Sequence, residues 1–270
     1  MSFQRFMPQL GFGTYGRTGP EGVAAMLLAL EVGYRHLDTA QDYGTERGVG
    51  DAIRRSALER DAVFVTTKIA TGNLGAGALI PSLERSLEEL RLEQVDLTLI
   101  HWPAPNGKIP LPIYIEQLAE AKARGLTRWI GVSNFTIALI EQARGLLGDG
   151  QIATNQIELN PLFRNRKLAD HCMAVGIPVT CYQPIAQGRL GTEPILQRIA
   201  RRHGATPEQI GLAFELANGY SAIPTSGIPD RIRANLASTQ IALSAAEMAE
   251  IETVDRGVRS IDPDWGPDWD

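Results

Sequence analysis

Eight times along the chain a short apolar run gives way to a longer segment whose apolar residues recur at helical spacing, and this alternation restricts the fold more than any other feature. The runs with strand character are 10–15, 34–38, 63–68, 95–100, 129–132, 152–158, 178–182 and 221–223. Helix patterns lie between them. Residues 20–31 place Val23, Met26, Leu27 and Leu30 on one face, with Gly33 as a stop. Residues 48–55 read as helical, and Leu79, Leu83, Leu87 and Leu90 form one stripe of the next helix. Further helices are expected at 112–124, at 136–147 ahead of Gly148, and at 167–175 ahead of Gly176. Thr206 with Gln209, and Ser244 with Glu247, have the spacing of capping boxes that open two more. Strands joined by crossover helices must pair in parallel. Eight such units in about 250 residues predict an α/β fold of the (β/α)8, TIM-barrel type, a single domain over 1–270. An open doubly wound sheet is the alternative that periodicity leaves, but it usually uses fewer units or adds a second domain.

Composition narrows the function classes. The net charge is −5 with no basic block, so there is no electrostatic footprint for nucleic acid or an anionic membrane. The start of the chain lacks the apolar core of a signal peptide, and no apolar run is long enough to span a bilayer, which makes the cytoplasm the expected location. Cys172 and Cys181 are too few for a disulfide framework or a thiolate metal cluster, and no metal is expected. Cys181, inside a strand, reads as core. Of 26 basic residues only Lys68, Lys108, Lys122 and Lys167 are lysines, so a lysine closing an apolar strand at 68 stands out.

Gly11, Gly13 and Gly16 spell G-x-G-x-x-G, and Asp38 ends the next strand, which imitates a dinucleotide-binding fingerprint. That fingerprint needs a helix opening directly at the glycines, so that its N-terminal N–H groups meet a pyrophosphate. Here residues 17–20 intervene and Pro20 is a natural first helical residue. A tight turn at a strand end is the expected structure instead.

In a (β/α)8 barrel the chemistry sits where the strands finish. Asp38 closes the second strand, Lys68 the third and His101 the fourth, while Tyr43 follows Asp38 in the loop. Ser133 and Asn134 close the fifth, Gln156 lies late in the sixth, Tyr182 ends the seventh, and Thr225 and Ser226 follow the eighth. Any one of these has a structural explanation; four ionisable groups converging on one mouth make a site. A lysine buried at the end of VFVTTK needs a carboxylate, and Asp38 on the neighbouring strand is the available one. A cation beside Tyr43 stabilises phenolate and is expected to lower that tyrosine's pKa, making it an acid for a developing alkoxide. His101 can orient a carbonyl. Such an assembly protonates but has no electron source, so reduction requires a hydride donor.

GYRHLDTAQDYGTE, FVTTKI, DLTLIHWP, WIGVSNF, ATNQIELNP and IPTSGIPDRIRANL, in that order over essentially the whole chain, resemble the aldo-keto reductase family. The likeness is to its bacterial 2,5-diketo-D-gluconate reductase type, which also reduces methylglyoxal and other small aldehydes. The resemblance implies a monomeric barrel binding NADPH across its C-terminal mouth, with Asp38, Tyr43, Lys68 and His101 as the catalytic tetrad and Tyr43 as proton donor. It implies that Ser133, Asn134 and Gln156 hold the nicotinamide carboxamide and that Tyr182 stacks on its ring. Thr14 and Tyr15 lie where the first loop meets cofactor and substrate, with Trp102 as a further pocket wall. Ser226, Arg231 and Asn235 resemble the segment that grips the adenosine 2′-phosphate and adenine.

The departures matter too. Thr225 stands where many relatives have lysine, which weakens the preference for NADP and leaves NADH admissible, although Arg231 still favours NADP. Ala70 replaces a common tryptophan and should widen one wall of the pocket. The tail, 257–270, carries Trp265 and Trp269, which fold over the mouth or pack on the barrel exterior. His36, His171 and His203 read as structural or exposed. Two other classes compete: an NADP(H)-binding redox sensor with negligible turnover, and a sugar-phosphate isomerase, for which Glu158 is the one candidate base.

Overall fold

The computed structural model describes residues 7–270. Eight parallel strands form one sheet in chain order, β1 Phe12–Gly13, β2 His36–Asp38, β3 Phe64–Ile69, β4 Val95–Ile100, β5 Thr127–Ser133, β6 Ile152–Glu158, β7 Val179–Tyr182 and β8 Ser221–Ala222. The sheet curls until its edges approach, but they meet through an isolated bridge between Leu10 and Ala222 and not through a full ladder. Three backbone bonds make the seam: Ala222 N–H to Gln9 O at 2.7 Å, Gly11 N–H to Ala222 O at 2.9 Å and Gly13 N–H to Pro224 O at 3.0 Å. Pro224 has no N–H to return, so the pairing stops there. The expected barrel is therefore present as a curled parallel sheet whose closure is weaker than a ladder.

The seam also accounts for the glycine motif. A Cβ on Gly13 would stand 2.7 Å from Ile223 O, and one on Gly11 would stand 2.5 Å from the His36 ring. Close approach to the neighbouring strands, not to a pyrophosphate, is what excludes side chains there. Gly16 turns the chain with φ +72°, and the first helix opens only at Gly19.

The helices are α1 Gly19–Val32, α2 Glu46–Arg55, α3 Leu79–Leu90, α4 Leu111–Ala123, α5 Ile137–Leu147, α6 Arg166–Ala174, α7 Pro194–His203, α8 Pro207–Ala217, α9 Pro229–Ala237 and α10 Ala245–Glu252. The two capping boxes form as the sequence implies, Thr206 with Gln209 and Ser244 with Glu247. Helix α7, absent from the sequence expectation, carries a short apolar stripe of Leu196, Ile199 and Ala200 at helical spacing among basic residues. That stripe packs into a satellite core with Leu190, Phe214 and Ile251.

Strand alternation sorts β3 into two faces. Val65 and Ile69 join the main core under the helices, with Leu83, Ile115, Leu118 and Ile140 among their cluster. Phe64 belongs to a smaller cluster with Met7, Leu97, Leu99 and Ala153. Lys68 shares the face of Phe64 and Thr66, so it rises inside the curled sheet at the carboxyl ends of the strands.

Candidate active site

Burying an ammonium inside a protein is affordable only if its charge and its donors are answered. Lys68 is fully buried, and its Nζ donates to Asp38 Oδ1 and, at 2.9 Å, to the Thr39 carbonyl. The other Asp38 oxygen accepts from Gln156 Nε2 at 2.8 Å, so β2, β3 and β6 are tied together through one carboxylate. Burial alone pulls the Lys68 ammonium down, but Asp38 and Tyr43 together outweigh it and hold its pKa above the ordinary lysine value. Lys68 therefore keeps its charge.

Tyr43 sits on the short turn after β2, its ring centroid 4.9 Å from Lys68 Nζ. Its hydroxyl lies 3.4 Å from His101 Nε2. Burial pushes the Tyr43 phenol above its ordinary value, with Lys68 pulling the other way. The expectation of a lowered pKa is corrected here: desolvation exceeds the neighbouring cation's pull, so the Tyr43 phenol is held above its ordinary value. His101 is held below its usual pKa by burial, against the pull of Asp42, whose carboxylate is 3.6 Å from Nδ1. It is a neutral imidazole at neutral pH.

The turn bearing Tyr43 is braced by Gln41, which sequence reading passed over. Its Nε2 donates to Ser82 O, Ser82 Oγ and Ser86 Oγ on α3, and its Oε1 accepts from Ala70 N and Asn73 Nδ2. Nothing in a linear motif marks such a brace, since its partners lie 29 residues or more away.

The remaining strand-end residues assemble around this centre. Ser133 Oγ donates to Gln156 O at 2.8 Å, and Asn134 Nδ2 donates to His101 O at 3.0 Å. Tyr182 Oη donates to Asn134 Oδ1 at 2.8 Å, which fixes its ring beside β5. Thr14 is buried with Oγ1 bonded to Asp38 O, whereas Tyr15 is 67% exposed and meets the Tyr43 ring edge-on at 5.1 Å. Ser226, Arg231 and Asn235 lie apart from the quartet, on the loop after β8 and the first turns of α9; Arg231 is exposed and Asn235 buried. Thr225 Oγ1 there is buried without a hydrogen-bond partner.

The tail packs against residues that follow β4 and end β6. Trp265 and Trp269 pack edge-on against Trp102, with ring centroids 5.2 and 6.0 Å away. Glu158, fully buried at the end of β6, accepts from the backbone N–H groups of Ser260 and Ile261 at 2.8–3.1 Å. These bonds occupy the carboxylate that the isomerase reading would need as a base. Arg259 is stacked between Phe163 and Trp269, and the Asp270 carboxylate accepts from Ile137 N–H at the start of α5. His36 is buried on Thr66 Oγ1, and His171 and His203 bond Glu141 and Glu247. Among the described residues no group of three or more His, Cys, Asp or Glu is arranged to hold a metal, and no helix is long and apolar enough to cross a membrane.

A family model for the aldo/keto reductases matches residues 9–256. The chain belongs to the aldo/keto reductase family. It is 44% identical to the methylglyoxal reductase DkgB of Yersinia pestis, over 98% of this chain and 99% of that protein. It is 39% identical to the 2,5-diketo-D-gluconic acid reductase B of a Corynebacterium species, over 92% and 89%. A crystal structure of a putative 2,5-diketo-D-gluconic acid reductase B superposes with a TM-score of 0.94 at 36% identity, covering 98% of this chain and 94% of that one. As an aldo-keto reductase, the protein is an NAD(P)H-dependent oxidoreductase.

Proposed function

We propose that this aldo-keto reductase reduces small aldehydes, α-dicarbonyls or keto-sugar acids such as 2,5-diketo-D-gluconate to alcohols, with NADPH as the reductant. The observation that carries the proposal is the Lys68–Asp38 ion pair lying within 5 Å of a tyrosine ring whose hydroxyl faces a neutral histidine. Tyr43 is the proton donor. Its raised pKa keeps the hydroxyl loaded at neutral pH, and Lys68 opposes the cost of phenolate as the proton leaves. Asp38 keeps Lys68 charged and fixed, and Gln156 fixes Asp38. His101 donates to the substrate carbonyl oxygen and so orients it toward Tyr43.

NADPH, when bound, supplies the hydride that reduces the carbonyl carbon. The residues fit such a group. Ser133, Asn134 and Gln156 would hold the carboxamide, Tyr182 would stack on the nicotinamide, and Thr14 and Tyr15 would line the junction with substrate. Ser226, Arg231 and Asn235 would receive the phosphate-bearing adenosine, and the unpartnered Thr225 hydroxyl supports a ligand there. Trp102 and Tyr15 would wall the substrate pocket, and the relatives' names support small dicarbonyls and keto-acids as occupants.

The test is NADPH consumption with methylglyoxal and with 2,5-diketo-D-gluconate, by the wild type and by Tyr43→Phe, alongside NADPH binding by fluorescence. Loss of general-acid help should lower kcat about 10²–10⁴-fold while cofactor binding persists. Equal rates would remove Tyr43 from the role assigned to it.

A further inference from the structure

Both ring nitrogens of His101 face a polar group. Its backbone N–H donates to Ile69 O at 3.1 Å and its carbonyl accepts from Asn134 Nδ2 at 3.0 Å, which fixes the base of the ring just past β4. Nε2 faces the Tyr43 hydroxyl at 3.4 Å. Nδ1 is buried without a hydrogen-bond partner, and the Asp42 carboxylate stands just beyond bonding range at 3.6 Å. Asp42 precedes Tyr43 on the turn Gln41–Tyr43, which Gln41 braces against α3 and the end of β3. The ring is largely buried and the carboxylate more than half exposed, so Asp42 is the solvent-facing member of the pair.

A neutral imidazole has one N–H to share between these two neighbours. With the proton on Nδ1, Asp42 is answered but Nε2 can only accept, and it has nothing to donate to a substrate oxygen. With the proton on Nε2, a bare nitrogen lone pair faces a carboxylate. Only a ring protonated at both nitrogens satisfies both sides. Burial is the largest opposition to that second proton, and Lys68 on β3 adds to it, whereas Asp42 and, more weakly, Asp38 on β2 favour it. We propose that Asp42 is a positioning residue that draws a second proton onto His101 for the reduction, so that Nδ1–H faces the carboxylate while Nε2–H donates to the carbonyl oxygen. This inference rests on the carbonyl reduction proposed above and adds a residue that sequence reading passed over. The proton comes from solvent and stays on the ring; Tyr43 remains the group that gives its proton to the product. A charge-assisted N–H donor holds a developing alkoxide more strongly than a neutral one, so reduction should quicken as pH falls.

The first measurement needs no turnover. Histidine C2–H resonances are followed by NMR across the acid and neutral range in the wild type, Asp42→Asn and Asp42→Glu, with His101→Gln identifying one signal among the four histidines. Asp42→Asn should lower the His101 midpoint by about half a pH unit, roughly a threefold loss of proton affinity, and Asp42→Glu should restore most of it. The second measurement is the pH profile of kcat/KM with NADPH, for methylglyoxal and for 2,5-diketo-D-gluconate. In the wild type kcat/KM should rise as pH falls, and in Asp42→Asn the rise should begin at lower pH while NADPH affinity stays the same. An unmoved His101 midpoint overturns the proposal and leaves the reductase reading standing. A pH profile that is the same in the wild type and Asp42→Asn overturns it too, even where KM for the anionic 2,5-diketo-D-gluconate falls, because Asp42 would then act only by repelling that substrate. A wild type that reduces neither carbonyl overturns both readings.

Discussion

Glu215 offers the sharpest test of how this fold tolerates charge. It lies on α8 with its side chain fully buried, and neither carboxylate oxygen has a hydrogen-bond partner. Burial holds its pKa well above the ordinary 4.5 and so favours the neutral acid in the folded protein. In the unfolded chain the same group ionises near its ordinary value. A pKa raised by folding gives stability that is whole below the unfolded value and drains away as pH rises toward the folded one. The drain is about 1.4 kcal/mol per pH unit. A buried polar group without a partner adds a pH-independent cost of about 1–3 kcal/mol. Glu215→Leu removes both costs, whereas Glu215→Gln removes only the titration. Urea unfolding at pH 5 and pH 7 should therefore find Glu215→Leu more stable than the wild type, with the gap widening toward pH 7 by up to about 1.4 kcal/mol per pH unit. A constant gap, or a leucine variant less stable at pH 7, would refute the picture of a protonated, unpartnered carboxyl.

Two further outcomes follow from the site. Lys68→Met leaves the Asp38 charge buried without its cation and should destabilise the fold by about 3–5 kcal/mol; pairing it with Asp38→Asn should recover much of that in urea unfolding, and a double variant no better than the single would exclude the ion pair as the cause. Glu158→Ala removes the acceptor for the Ser260 and Ile261 N–H groups, so limited trypsinolysis after Arg259 should accelerate with the rest of the chain intact, and an unchanged cleavage rate would show that the tail is held by its other contacts, the aromatic packing and the Asp270 bonds to Ile137 N–H.

Much of this architecture is written locally. β4 and β6 begin and end where their β-branched runs do, and both capping boxes form from a four-residue pattern. The Lys68–Asp38 pair is legible because a lysine closing an apolar strand has few physical solutions, and parallel pairing puts a strand-end aspartate beside it. What escaped was set by contacts distant in sequence. The Glu158 carboxylate meets N–H groups more than a hundred residues later, and no spacing announces that. Gln41 is likewise unremarkable until folding shows what it touches. The Tyr43 pKa went the other way because proximity to a cation can be inferred from neighbouring strands, whereas the depth of burial cannot.

Among the described residues the first and last strands share three backbone bonds, and the loops that leave them carry Thr14 on one bank and Thr225 on the other. A molecule gripped from both banks would act as a clasp on the ring, its binding energy added where the native cylinder is thinnest. Occupancy and mechanical integrity would then rise and fall together at that join.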